Sequence, residues 1–97
     1  MSNEVTSFDL SIFLDSDEAI CEYLTQVLDE GDMEEAKRAL GYVAKARGMA
    51  SISEQTGLGR ESLYKTLKPE TKPRFDTVLR ILHATGMRLK VEPMNHQ

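Results

Sequence analysis

Residues 49–68 contain the side chains whose chemistry is easiest to assign. Ile52 and Thr56 lie one helical turn apart, and Gly57 follows where a left-handed residue would end a helix. Leu63 and Leu67 then repeat the same spacing on a second short helix. The other face of that second helix collects hydrogen-bonding and charged side chains, namely Arg60, Glu61, Ser62, Tyr64, Lys65 and Lys68. Such groups bind phosphates and base edges, so the pattern predicts a DNA-reading helix-turn-helix.

Two simpler interpretations of this stretch compete with the DNA-reading one. A helix–glycine–helix corner occurs in many small helical proteins, and short motifs of this kind match by chance. A face rich in lysine and arginine is commonly just solvated surface. The rest of the chain therefore has to decide between them.

The distribution of charge separates the two ends of the chain. The net charge is −4, which by itself argues against a nucleic-acid ligand. Residues 1–32 contain nine acidic and no basic residues, whereas residues 33–97 contain twelve basic and seven acidic residues. This asymmetry predicts an acidic segment and a separate basic face for a partner.

Length and composition exclude several classes of protein. With 97 residues, 40% of them hydrophobic, the chain is expected to form one small globular domain. We expect the single Cys21 to be buried, and the two histidines form no metal-ligand pattern. No long apolar run or signal peptide is visible, so we expect a cytoplasmic protein with no membrane contact. No catalytic constellation is visible either, and we predict neither an enzyme nor a cofactor.

Capping residues and glycines divide the chain into helices that position the 49–68 stretch. Ser16 and Asp32 are placed to cap two helices, which Gly31 and Gly48 then end. Helical spacing predicts that Leu28 in the first of these helices and Met33 in the second face the interior. The helix-turn-helix follows, and after a proline-rich linker at 69–73 a last amphipathic helix stops at Gly86. We therefore predict an all-α domain of five helices over residues 15–97, preceded by an acidic arm at 1–14.

Both ends of the chain carry an alternating apolar pattern. Met87, Leu89 and Val91 alternate with polar residues, which predicts a short C-terminal β-strand at 87–92. One strand cannot stand alone, so it is predicted to pair with the N-terminal segment, with another copy of the chain or with the sheet edge of a partner, and its three apolar residues are the candidates for joining two copies. Near the N-terminus, the segment around Phe8 and Leu10 is either a short strand or an extended arm.

Most of the chain, from Phe8 to Pro93, resembles the HigA-type antitoxins, a family of helix-turn-helix antidote proteins of addiction modules. The resemblance is carried by the stretches YLTQVL (23–28), AKARGM (44–49), TGL (56–58), RESLYK (60–65) and GMRLKVEP (86–93). It implies a Cro/repressor-like domain that binds its own operator DNA as a repressor and pairs with a RelE/ParE-like toxin.

Two positions depart from the pattern of that family. Ser53 stands where a small apolar residue is usual in the first motif helix. Gly59 stands where a serine or threonine usually caps the recognition helix. Glycine is an acceptable cap, but it lacks the hydroxyl that could contact a phosphate.

These observations lead to a functional hypothesis with two alternatives. The chain is expected to be the antitoxin and autorepressor of a toxin–antitoxin module, reading DNA with Gly59 and the polar face of the second motif helix. Toxin-binding residues are expected in the acidic arm, where four apolar side chains are candidate anchors: Phe8, Leu10, Ile12 and Phe13. The alternatives are a prophage-type regulator without a toxin, and an interaction module that does not bind DNA.

Overall fold

The structure is a computed structural model, and it describes residues 13–94 of the chain. Within that range, five α-helices lie between residues 17 and 84. They are α1 (Asp17–Glu30), α2 (Met33–Arg47), α3 (Met49–Thr56), α4 (Arg60–Thr66) and α5 (Phe75–Ala84). The prediction of an all-α arrangement with five helices is confirmed for this part of the chain.

The first two helices begin and end at the residues that the sequence indicated. Ser16 accepts a hydrogen bond from the backbone N–H of Ala19, at 3.1 Å, and so caps α1. The Asp32 carboxylate caps α2 in the same way, accepting from the N–H groups of Glu34 and Glu35. Gly31 ends α1 in the left-handed conformation, with φ of 82°, which only glycine adopts without strain.

A single hydrophobic core joins all five helices. Each helix contributes a large aliphatic side chain that is fully buried, and these are Ile20, Val43, Ile52, Leu63 and Ile81. Burial of each such side chain stabilises the fold by roughly 1.5–3 kcal/mol relative to an exposed one. Helix α3 contacts α2, α4 and α5, so three of the other four helices pack on it, whereas α1 packs on α2.

The C-terminal β-strand predicted at 87–92 is not formed in the described chain. These residues have no regular secondary structure, although they follow directly from α5 and the turn at Gly86. A strand needs a neighbouring backbone to pair with, and the single chain supplies none for this segment within residues 13–94. We call residues 87–94 the tail.

Three side chains expected in the interior lie at the surface instead. Cys21 is exposed, because it lies one position beyond the stripe formed by Ile20 and Leu24. Leu28 and Met33 are exposed at the corner between α1 and α2, since none of the helices between residues 17 and 84 covers that corner. The helical periodicity gave the correct inner stripe but did not show where that stripe runs out of packing partners.

Candidate nucleic-acid and partner-binding surfaces

Hydrogen bonds fix the turn between α3 and α4. Gly57 is left-handed, with φ of 78°, and its N–H donates to the carbonyl of Ser53 at 3.0 Å. The Thr56 hydroxyl donates to the Ile52 carbonyl at 2.8 Å and accepts from the Leu58 N–H at 3.2 Å. The Ser53 hydroxyl donates to the Leu58 carbonyl at 2.5 Å. The serine that departs from the family pattern therefore holds the turn together.

Two longer side chains connect the α3–α4 pair and the linker after it to other helices. The Arg80 guanidinium on α5 donates to the carbonyl of Thr56 at 3.4 Å. The Lys37 ammonium on α2 donates to the carbonyl of Pro69 at 2.6 Å, and also to that of Thr71. No local sequence pattern predicts these contacts, because they join residues 24 to 34 positions apart.

Helix α4 has one apolar and one polar face. Leu63 is fully buried and Leu67 is nearly so, which seats the helix on the core. Every residue predicted to contact DNA is exposed, and these residues are Gly59, Arg60, Glu61, Ser62, Tyr64, Lys65 and Lys68. Gly59 is the N-cap of α4 and makes no side-chain capping bond. The structure thus brings all seven predicted positions to one exposed region.

Within residues 13–94, no carboxylate forms an ion pair with the cations of this region. The ion pairs among residues 13–94 join Arg38 to Glu35, Arg47 to Asp17 and Arg74 to Asp76. None of them involves Arg60, Lys65 or Lys68. These three side chains can therefore approach an anionic ligand without first breaking an ion pair within residues 13–94.

The predicted toxin-binding residues lie at the edge of the described chain. Phe8, Leu10 and Ile12 lie outside the described residues. Phe13 is exposed, whereas the adjacent Leu14 is buried in the core cluster. Leu14 is therefore the first of the described residues that packs in the core.

The three residues predicted to join two copies of the chain have different environments. Met87 is half-buried and packs against the core, and its N–H donates to the Leu82 carbonyl at 3.3 Å. Leu89 is exposed, and Val91 is 94% exposed. Within residues 13–94, Met87 is thus the one of these three residues that packs against the core of its own chain.

An uncovered apolar groove is the main feature that the sequence did not reveal. It has a volume of about 600 Å³ and lies between the α1–α2 corner, the linker at 69–73, α5 and the tail. Its exposed apolar lining consists of Leu28, Met33, Phe75 and Leu89. Three of them lie at or beyond the end of a helix, namely Met33, Phe75 and Leu89. An apolar residue at such a position needs a second structural element to bury it. We call this feature the apolar groove.

One side chain has a perturbed acid–base equilibrium. Burial raises the pKa of the Tyr23 hydroxyl from 10.0 to about 12, and the nearby Glu35 carboxylate adds to the increase. Both effects disfavour the phenolate, because burial removes its hydration and a like charge repels it. Tyr23 lies on α1 and is half-buried against the core, so this shift reports helix packing.

The described residues were also candidates for two other features, a metal site and a membrane-spanning helix. Within residues 13–94, no three His, Cys, Asp or Glu residues come together in a way that could hold a metal ion. In the same range, no helix has the length and hydropathy needed to cross a membrane.

Comparison with known proteins places this geometry in a family. The model of a family described as probable addiction module antidote protein matches residues 4–93. An uncharacterized protein of Haemophilus influenzae is 36% identical over 92 residues, which cover 95% of each chain. An uncharacterized protein of Methanocaldococcus jannaschii is 32% identical over 78 residues, which cover 79% of this chain and 81% of the relative. No solved structure gives a significant match.

Proposed function

The chain belongs to the family of probable addiction module antidote proteins, and we propose that it is the antitoxin of a type II toxin–antitoxin module. In this proposal it neutralises a RelE/ParE-like toxin and represses its own operon by binding operator DNA. It acts by binding, without catalysis, and it works in the cytoplasm as a homodimer.

The DNA-binding part of the proposal has α3 and α4 acting as a helix-turn-helix, with α4 entering the major groove. The supporting observation is the two-sided character of α4, whose Leu63 is fully buried while all its candidate contact residues are exposed. A recognition helix needs this division, because the element must be rigidly seated before its outer side chains can select bases. The hydrogen bonds of Ser53, Thr56 and Arg80 supply that rigidity.

The exposed residues of α4 have separate roles in this proposal. Arg60 and Lys65 donate to base edges, for which guanine is the preferred partner. Tyr64 contacts a phosphate or sugar, and Lys68 supplies a charge to the DNA backbone. Glu61 and Ser62 lie beside them with acceptor and donor groups, and Gly59 lets the start of α4 approach the DNA closely.

The toxin-neutralising part of the proposal assigns the toxin to the acidic N-terminal arm. Residues 1–32 contain nine acids and no bases, two of the acids in the arm and seven on or next to α1, and together they would attract a basic toxin surface and orient it. Charge of this kind raises the association rate more than the affinity, so apolar anchors are needed. Phe8, Leu10, Ile12 and Phe13 are those anchors, and the exposure of Phe13 beside the buried Leu14 supports this placement.

The dimer completes the proposal, because one helix-turn-helix makes few DNA contacts and two copies read two half-sites. Met87, Leu89 and Val91 join the copies by pairing the two tails as strands. The exposure of Leu89 and Val91 in the single chain supports this assignment.

Co-expression with the neighbouring gene tests the proposed function. The full chain should restore growth when that gene encodes a toxic protein. A chain that begins at Leu14 retains the buried core residue but lacks the arm, so it should remain helical by circular dichroism and fail to restore growth.

Two outcomes of the co-expression experiment contradict parts of the proposal. Full protection by the shortened chain would place the toxin site on the helical body. A neighbouring gene without toxicity, together with unaltered operator binding, would favour a regulator that has no toxin.

A further inference from the structure

The apolar groove has large apolar side chains in its lining that nothing else within residues 13–94 covers. Phe75 is 67% exposed and Met33 is 57% exposed, and both line the groove together with Leu28 and Leu89. Single exposed apolar residues are normal, but a contiguous concave set of them marks a binding site for another apolar surface.

The tail extends beyond this groove, and its apolar residues after Leu89 are exposed. Leu89 lines the groove, yet beyond it Val91 is 94% exposed and Met94 is 85% exposed. Residues 87–94 also have no regular secondary structure, so no backbone within residues 13–94 pairs with them as a strand. An unpaired segment with alternating apolar residues thus lies beside an uncovered apolar groove.

We propose that the tail of a second copy of the chain closes the apolar groove, and that the exchange is reciprocal. The two tails pair as antiparallel strands, in a register that puts Leu89 opposite Val91 of the partner subunit. Val91 of the partner subunit then extends towards Met33 and Phe75, and the partner's Met94 follows beyond the end of the strand. This inference rests on the proposed dimer and specifies which surface the dimer buries.

Strand geometry makes this exchange self-consistent. Alternate residues of a strand point to the same side, so Met87, Leu89 and Val91 share one face of the tail. In an antiparallel pair, directly opposite residues lie on the same face, which brings each Val91 against the partner's Leu89 at the edge of the groove. The pairing gives alternate backbone groups of both tails a hydrogen-bond partner at the same time.

The charges around the groove favour the tail as its occupant. Arg88 and Lys90 alternate with the apolar residues of the tail and outnumber its one acid, Glu92, and neither cation forms an ion pair with another residue of the range 13–94. The groove side carries the exposed carboxylates of Glu34 and Glu70. Of the two groove lysines, Lys72 is exposed, but Lys37 already donates to two backbone carbonyls. A basic and apolar segment therefore matches an apolar groove with accessible acids at its rim.

The oligomeric state of full-length variants tests this inference. Met33→Asp removes an apolar contact from the groove and puts an acid in the first turn of α2, where the helix dipole favours it. Val91→Asp combined with Met94→Asp removes the contacts from the tail, where both side chains are exposed. Each change should raise the dimer dissociation constant in analytical ultracentrifugation by about tenfold or more.

Ala46→Glu is the control, since it adds an acid at an exposed position of α2 that does not line the groove. It should leave the dimer intact, and circular dichroism should show the same helicity for every variant.

Three results would overturn the inference. One is a wild-type chain that is a monomer while it still neutralises toxin and binds operator DNA, which leaves the antitoxin and repressor parts of the proposed function standing but not its dimer. Another is a dimer unaffected by both sets of changes. The third is a Met33→Asp dimer that has lost its affinity for the toxin, which would assign the groove to the toxin. A dimer that behaves as expected but neither binds DNA nor neutralises toxin would refute the proposed function alone.

Discussion

Helix α4 and the tail are both surface elements, but they present opposite chemistry to the solvent. In α4 the leucines are buried and the charged residues are exposed, so its surface is complete without an apolar partner. In the tail the apolar Val91 and Met94 are exposed. This difference indicates two kinds of partner. A polar face with accessible cations suits a polyanion such as DNA, whereas an uncovered apolar segment suits another protein surface.

The largest difference between these regions should appear in stability. Leu63→Ala should lower the free energy of unfolding by roughly 2–5 kcal/mol, because it leaves a cavity beneath α4. Val91→Ala should change it by less than about 0.5 kcal/mol, since the side chain is exposed in the monomer. Urea unfolding followed by far-UV circular dichroism, at a concentration where the chain is monomeric, measures both. Equal effects of the two substitutions would contradict the claim that Leu63 is buried beneath α4 while Val91 in the tail is exposed.

A smaller effect should follow from loosening the turn that seats α4. Ser53→Ala removes the hydroxyl that donates to the Leu58 carbonyl, and should cost about 0.5–1.5 kcal/mol of stability. Ser51→Ala is the matched control, because the Ser51 hydroxyl only accepts a bond from Gln55 at the exposed surface. If both variants unfold at the same urea concentration, the Ser53 hydrogen bond does not stabilise the turn.

The smallest effect concerns pH and the packing of α1. The pKa of Tyr23 is about 12 in the folded chain, against an ordinary value of 10.0, so the folded state holds this proton more tightly. The resulting stability is complete below pH 10 and is lost as the pH rises towards 12. Ultraviolet titration should show a late phenol ionisation that is absent in Tyr23→Phe. If the difference between the two titration curves has its midpoint near pH 10, Tyr23 is not shielded by the fold.

The sequence predicted the helices well because their signals are local. Ser16, Asp32, Gly31 and Gly57 each act on the adjacent backbone, and the structure shows each in its predicted capping role. The two faces of α4 also follow from spacing alone, since residues four apart share one side of a helix.

Long-range features were not predictable in the same way. The contact of Lys37 with the linker joins residues more than thirty positions apart, and no local pattern encodes it. Helical periodicity placed Leu28 and Met33 inside, but only the packing of α1 against α2 shows that their corner is uncovered. The strand at 87–92 was predicted from alternation, which does not reveal whether the same chain supplies a partner strand.

The most direct test of the account is operator binding by an Arg60→Ala protein, measured by fluorescence anisotropy with DNA from upstream of the gene. The loss of a base contact should weaken binding by about 1–3 kcal/mol and relax the preference at one operator position. Arg38→Ala removes the same charge from α2, where the guanidinium pairs with Glu35, and should bind almost as the wild type does. Unchanged affinity and specificity in Arg60→Ala, or equal losses in both variants, would contradict the claim that α4 reads the operator.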